Sequence, residues 1–207
     1  MYGGLLRLFE NILCQIPDYD ADAILPLIEL AIEIAREGRE GRRIGTLFTF
    51  GDEDAVLAAS RPLILDPLAG HAEQLRHMTD PNLRGTIKEL AQLDGAFVVN
   101  SSGVFVAACR YLNSTGATHV ELPLGLGSRH LAAAGISVVT KAVGVVVSES
   151  SVVRMFCHGS MVAEIIPELW LLSRSSVQMR GAVSEERIRD LAVITPRLPF
   201  QRKSATE

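Results

Sequence analysis

The sequence has no excess of basic residues: 20 Lys and Arg stand against 24 Asp and Glu, giving a formal net charge of −4 and an isoelectric point near 5.8. A protein that tracks nucleic acid needs a broad basic surface, so that class is set aside, and any anion bound here is expected to be small and locally held. Cysteine is scarce. Cys14, Cys109 and Cys157 lie far apart, without the close spacing of a zinc knuckle or a redox pair, and a reducing compartment follows. No apolar run approaches the roughly 18 residues of a membrane span. The opening MYGGLLRLFENILCQIPDYD is interrupted by Arg7 and Glu10, and no small-residue cleavage site follows it. Together these absences predict a cytoplasmic protein with neither a membrane nor a nucleic-acid partner. Aromatic residues are also few, 5% against 48% hydrophobic overall, so the core is built mainly from Ala, Val, Leu and Ile, as in layered α/β or α+β folds.

What is present is one domain's worth of patterned chain, 207 residues being enough to bury a substantial core. Asp20 or Asp22 is placed to cap a helix running to about Arg36, with Pro26 in its first turn. Ile24, Leu27, Ile28, Ala31, Ile34 and Ala35 form its apolar face, and Gly38 and Gly41 stop it. IGTLFTFGD reads as a strand ending at Gly51, and RPLILDPLAGH as an irregular connection. Leu83, Ile87, Leu90 and Leu93 predict a helix that delivers the chain to Asp94, Gly95 and Ala96. AFVVN, a turn at Ser101, Ser102 and Gly103, and VFVAACRYL predict a hairpin. A glycine-rich loop within ELPLGLGSRH opens onto a further helix; VGVVVSES is a buried strand and VVRMFCHGS its hairpin partner. MVAEIIPELW reads as a helix, the run from Ser184, Glu185 and Glu186 to Leu191 as a capped helix, and RLPFQRKSATE as a loose tail. The expected organisation is an N-terminal extension over 1–20, a domain over 21–172, and a C-terminal helix and tail over 173–207.

Three places carry candidate chemistry. Ser128 is placed as an N-cap, and Gly125 and Gly127 let backbone N–H groups approach an anion at the positive end of the next helix. Arg129 adds a planar fork for phosphate oxygens and His130 a further donor, which together describe a triphosphate cradle. The same run also reads as a structural turn, since it matches neither GxxxxGK[ST] nor a full GxGxxG. Asp94 beside Gly95 is either an ordinary turn or a carboxylate holding a divalent metal close to phosphates. Ser148 and Glu149 stand at the carboxyl end of an apolar strand, where open α/β sheets place ligands; a second metal carboxylate and a solvated strand end are both open for Glu149. Tyr111 is placed to stack on a base or to sit in the core edge.

DGAFVV with its hairpin, then LGSRHLAAAGIS and VVVSES, resembles the diadenylate cyclase (DAC) domain family, whose signatures are a DGA triplet and an RHR motif inside a GTRHR-type run. The likeness covers about residues 30–170, through GRRIGTLFTFGD, TIKELAQLDGA and VVRMF. It implies an α/β domain with a mixed central β-sheet flanked by helices, condensing two ATP into cyclic di-AMP and two pyrophosphates with Mn²⁺ or Mg²⁺. The active unit implied is a homodimer or higher homo-oligomer in which two subunits meet face to face. It also implies Asp94, Arg129 and His130 as catalytic residues and Asp94 with Glu149 as metal ligands. Gly95, Tyr111, Leu112, Gly127, Ser128 and Ser148 would contact the nucleotide, with Tyr111 and Leu112 enclosing adenine. Two positions depart from the pattern. Ser128 replaces the family's common Thr and keeps the hydroxyl; Leu131 stands where a second Arg is usual, withdrawing a charge from a phosphate contact or the dimer face, unless it packs inward with Ala134 and Gly135. A nucleotide-binding sensor without turnover and a cyclase for another purine nucleotide are the competing readings.

Overall fold

Asp20 accepts from the backbone N–H of Asp22 and caps α1 (Ala21–Glu37), which ends where Gly38 donates back to Ile34. With the cap at Asp20, Pro26 falls beyond the first turn and inside the helix, and the guanidinium of Arg84 donates to its carbonyl at 3.0 Å. This computed structural model describes residues 12, 16, 19–113, 120, 122–167, 183–188 and 191–196. The expected loose tail and most of the expected N-terminal extension lie outside the described residues.

The remaining elements follow as β1 (Thr46–Phe50), α2 (Glu53–Ala58), β2 (Ser60–Pro62), a short 3₁₀ turn (Glu73–Arg76), α3 (Pro81–Leu90), β3 (Ala96–Val99) and β4 (Phe105–Leu112). Then come α4 (Ser128–Val139), β5 (Val143–Val147), β6 (Val153–Cys157), β7 (Ser160–Pro167), β8 (Val183–Ile188) and β9 (Leu191–Pro196). The strands form one sheet in the order β2-β4-β3-β1-β5-β6-β7-β9-β8. β1 and β3 pair parallel and their other neighbours antiparallel, so the sheet is mixed, as expected.

Period-two alternation sorts the side chains into two layers. Phe48, Phe50, Phe97, Val99, Val145, Val147 and Met155 face α1 and α3, together with Leu27, Ile28, Leu83 and Ile87. Leu47, Ala96, Val98, Val146 and Phe156 face the other way, against Ala133, Ala134 and Ile136 of α4. The fold is an α/β domain with helices on both faces, in agreement with the sequence.

Two expected helices are strands. The run Met161–Pro167 belongs to β7, paired with β6 and β9, because His158 and Gly159 both take positive φ (49° and 77°) and close a tight hairpin after β6. Its residues 168–170 lie outside the described residues. The capped helix expected from Ser184 to Leu191 is replaced by β8 and the start of β9; Glu185 pairs with Ile194 and Ile188 with Leu191. Pairing to a sheet edge overrides the helical preference of Glu and Arg there.

Candidate functional site

α3 is capped by Asp80, whose side chain accepts from Asn82 and Leu83, and it ends at Leu90, one turn short of the expected stop. The chain then turns into β3 and leaves Asp94 at the rim with 82% of its side chain exposed. Gly95 is required here. Its φ is +104°, and a Cβ would lie 2.6 Å from the Cys109 carbonyl carbon of the bulged strand beside it.

From the opposite side, α4 begins at Ser128 with Gly127 as its N-cap and no side-chain capping bond. The expected capping role of Ser128 is therefore corrected: it is the first helical residue, and its hydroxyl is not used by the helix end. Arg129 reaches out from this first turn. Its Nη1 donates to Glu149 Oε1 at 3.2 Å and its Nη2 lies 3.8 Å from Asp94 Oδ1, so one guanidinium bridges the two carboxylates expected to hold metal. Gly45, just before β1, lies under that bridge: a Cβ would stand 2.7 Å from Arg129 Nη1 and 3.1 Å from Glu149 Cγ.

Two clefts meet at Ser128 and Arg129. The first, about 320 Å³, is lined by Asp94, Gly95, Tyr111, Leu112 and Leu131 among others. The second, about 230 Å³, is lined by Gly125, Gly127, His130, Ser148 and Glu149 with the ends of β5. All the site residues expected from the sequence line one or the other. Tyr111 is half-exposed with Arg61 stacked 4.5 Å from its ring centroid, whereas Leu112 is buried. Ser148 shares a hydroxyl contact of 2.9 Å with Ser150 in the turn after β5. Leu131 is 41% exposed in the first cleft while Ala134 and Gly135 are buried, which corrects the inward packing considered for it.

The DisA bacterial checkpoint controller nucleotide-binding (DAC) family model matches residues 33–161. The chain belongs to this family. Both clefts of the DAC domain fall within the matched span. A diadenylate cyclase of Methanocaldococcus jannaschii is 48% identical over 169 residues, covering 81% of this chain and 52% of the relative. One of Haloferax volcanii is 39% identical over 172 residues, covering 82% and 60%. The chain thus spans a little over half the length of the curated relatives it matches. Among solved structures, a hypothetical membrane spanning protein from Bacillus cereus aligns at 24% identity and a TM-score of 0.47 over 65% of this chain and 59% of that one. DacA from Staphylococcus aureus, as a double mutant, aligns at 24% and 0.41 over 68% and 84%.

In this DAC domain His130 is not an open surface donor. Its side chain is 6% exposed, edge-on to Phe156, and Arg154 Nη1 lies 3.3 Å from its Nε2. Burial, then the Arg154 and Arg129 guanidiniums, push its pKa down to about 4, with the Gly127 carbonyl acting in the opposite sense. The imidazole is neutral at neutral pH and serves as a hydrogen-bonding group. Sequence reasoning missed Gly45, Arg110, Leu63, Arg154 and Glu164 around the site. Gly45 carried one signal, a glycine immediately before a buried strand; Arg154 carried another, a charge inside an apolar strand.

Proposed function

We propose that this domain condenses two ATP molecules into cyclic di-AMP with release of two pyrophosphates. The observation that carries the reading is the convergence of Asp94, Arg129 and Glu149 on one point between the two clefts. The first cleft suits a nucleoside, with Tyr111, Leu112 and Leu131 as apolar walls; the second suits phosphates, with the N-terminus of α4 and Arg129 as donors.

Asp94 and Glu149 suit a divalent ion because both already face a single cation, the guanidinium of Arg129; with no third His, Cys, Asp or Glu clustered there among the described residues, the remaining ligands would come from outside the protein. Mg²⁺ and Mn²⁺ suit two carboxylates completed by phosphate oxygens and water. Bound there, such an ion would supply charge neutralisation at the α-phosphate and acidify the ribose 3′-hydroxyl. Each 3′-oxygen attacks the α-phosphorus of the other nucleotide; a P–O bond forms, the α–β bridge breaks, pyrophosphate leaves with the bridging oxygen and the hydroxyl proton passes to solvent water. Arg129 would then hold phosphate oxygens through the charge build-up, and α4 would align the chain of phosphates. The described residues form this paired cleft for one nucleotide, so two opposed nucleotides call for two subunits face to face.

The test is incubation with ATP and Mg²⁺ or Mn²⁺, with the product identified by mass and pyrophosphate measured. Wild type yields cyclic di-AMP, and Asp94→Asn lowers the rate by about 100-fold or more. Absence of any cyclic dinucleotide with either metal, or an Asp94→Asn variant as active as wild type, would sink the proposal. Leu131 favours a second reading, a nucleotide-binding module without turnover, because a leucine faces the cleft where an arginine is usual. That reading predicts ATP binding without pyrophosphate release; a GTP competition identifies the accepted base.

A further inference from the structure

β6 carries a charge where its neighbours are Val, Met and Phe. Arg154 is 3% exposed and points to the α4 face, and Glu164, 0% exposed, is its direct partner across the β6–β7 ladder. Both Nε (2.9 Å) and Nη2 (2.6 Å) of the guanidinium lie on one carboxylate oxygen, Glu164 Oε1. A buried pair of this kind contributes little net stability, since desolvation offsets much of the attraction. What it does supply is direction: with Nε and Nη2 held, Nη1 is aimed at His130 Nε2, 3.3 Å away.

An arginine has no acceptor, so Nε2 of His130 must be the bare nitrogen and Nδ1 must carry the hydrogen. That Nδ1 is buried and has no partner within hydrogen-bonding geometry, although the Gly127 carbonyl lies near enough to the ring to favour its protonated form. The Gly127 carbonyl is already taken by the backbone N–H groups of His130 (3.1 Å) and Leu131 (3.3 Å). His130 also lines the second cleft beside Gly125, Gly127 and Ser128. An unsatisfied buried donor costs free energy that an oxygen arriving in this cleft would recover.

We propose that Arg154 and Glu164 are positioning residues that lock His130 as its Nδ1–H tautomer, presenting that hydrogen to a phosphate oxygen at the N-terminus of α4. The inference rests on the reading of the second cleft as the phosphate half of the nucleotide site. The paired change Arg154→Met with Glu164→Leu removes both buried charges together, so neither is left as an uncompensated charge in the core.

Two-bond ¹H–¹⁵N spectra report the tautomer directly, with the His130 signals assigned by their loss in His130→Gln. Wild type is expected to show Nδ1 protonated and Nε2 bare at neutral pH, with Nδ1 shifting when ATP is added. The paired variant is expected to lose the single tautomer and to bind ATP about tenfold more weakly by calorimetry, as for loss of a bond to a charged group. A wild-type Nε2–H tautomer, a Nδ1 signal indifferent to ATP, or a paired variant with unchanged tautomer and affinity each overturns this inference alone. Failure of wild type to bind ATP overturns the cyclase reading and the positioning role with it. If the paired variant does not fold, the wild-type spectra with and without ATP decide the matter.

Discussion

His130 shows how one side chain couples the site to stability. Its folded pKa, about 4, lies below the ordinary 6.5, so between those values the unfolded chain binds a proton that the folded chain refuses. Stability therefore rises with pH across that window: the contribution is full above 6.5 and is lost as pH falls towards 4, with a limit on the order of 3 kcal/mol. The charges facing the ring are Arg154 and Arg129, with Glu164 neutralising Arg154 from behind. Urea unfolding of wild type and His130→Gln at pH 7 and pH 5 isolates the effect. Wild type should lose more stability than the variant over that interval; parallel losses would show that His130 is not the titrating group. None of this was visible in the run Ser128, Arg129, His130, because what the ring meets depends on β6, 24 residues further on. Gly45 was hidden for the same reason: its role appears only when Arg129 and Glu149 fold over it.

Among the elements, α3 matters because it delivers Asp94, and it is tied to α1 by charge. Arg84 Nη2 meets Glu33 Oε1 at 2.6 Å, and Lys88 meets Glu33 and Glu37 at 2.9 Å each. Partial burial pushes the Glu33 carboxyl upward, but the hydrogen bonds and charges of Lys88 and Arg84 outweigh it and hold the pKa below 4.5. A lowered carboxylate stabilises the fold at and above its unfolded pKa, and that contribution is lost as pH falls through the folded value. Glu33→Gln should lower the urea midpoint by an amount equivalent to about 1 kcal/mol at pH 7, with the slope unchanged, and by less near pH 3. An undiminished effect at pH 3 would mean the link is packing and not charge. Elements with a clear period were legible in advance, α1, α3 and the β3–β4 hairpin among them. β7 was not, since Val162 to Ile166 is buried throughout, Glu164 included, and a segment buried on both faces shows no alternation that marks it as a strand. β8 was not, since nothing local in Ser184–Ile188 announces the β9 strand it pairs with.

For the whole molecule, the two motifs come together because DGA leads into β3 while the SRH run opens α4, which packs across β1 and β5, so that Arg129 reaches Asp94. The proposed reaction needs two nucleotides facing each other. Leu63 and Leu131 line the first cleft, and Leu65 (94% exposed) and Leu124 (89%) stand close to cleft residues in sequence. Exposed apolar groups of this kind suit burial against another copy. If two subunits share the reaction, cyclic di-AMP formation at low enzyme concentration should be about second order in protein, approaching first order once the dimer is saturated. Leu65→Asp with Leu124→Asp should shift that crossover to higher protein concentration while leaving ATP affinity per subunit unchanged, since neither side chain lines the clefts. Initial rates over a thousandfold dilution series, with sedimentation on the same samples, measure both. First-order behaviour throughout, with a monomer in the centrifuge, would require one chain to hold both nucleotides and would overturn the shared site.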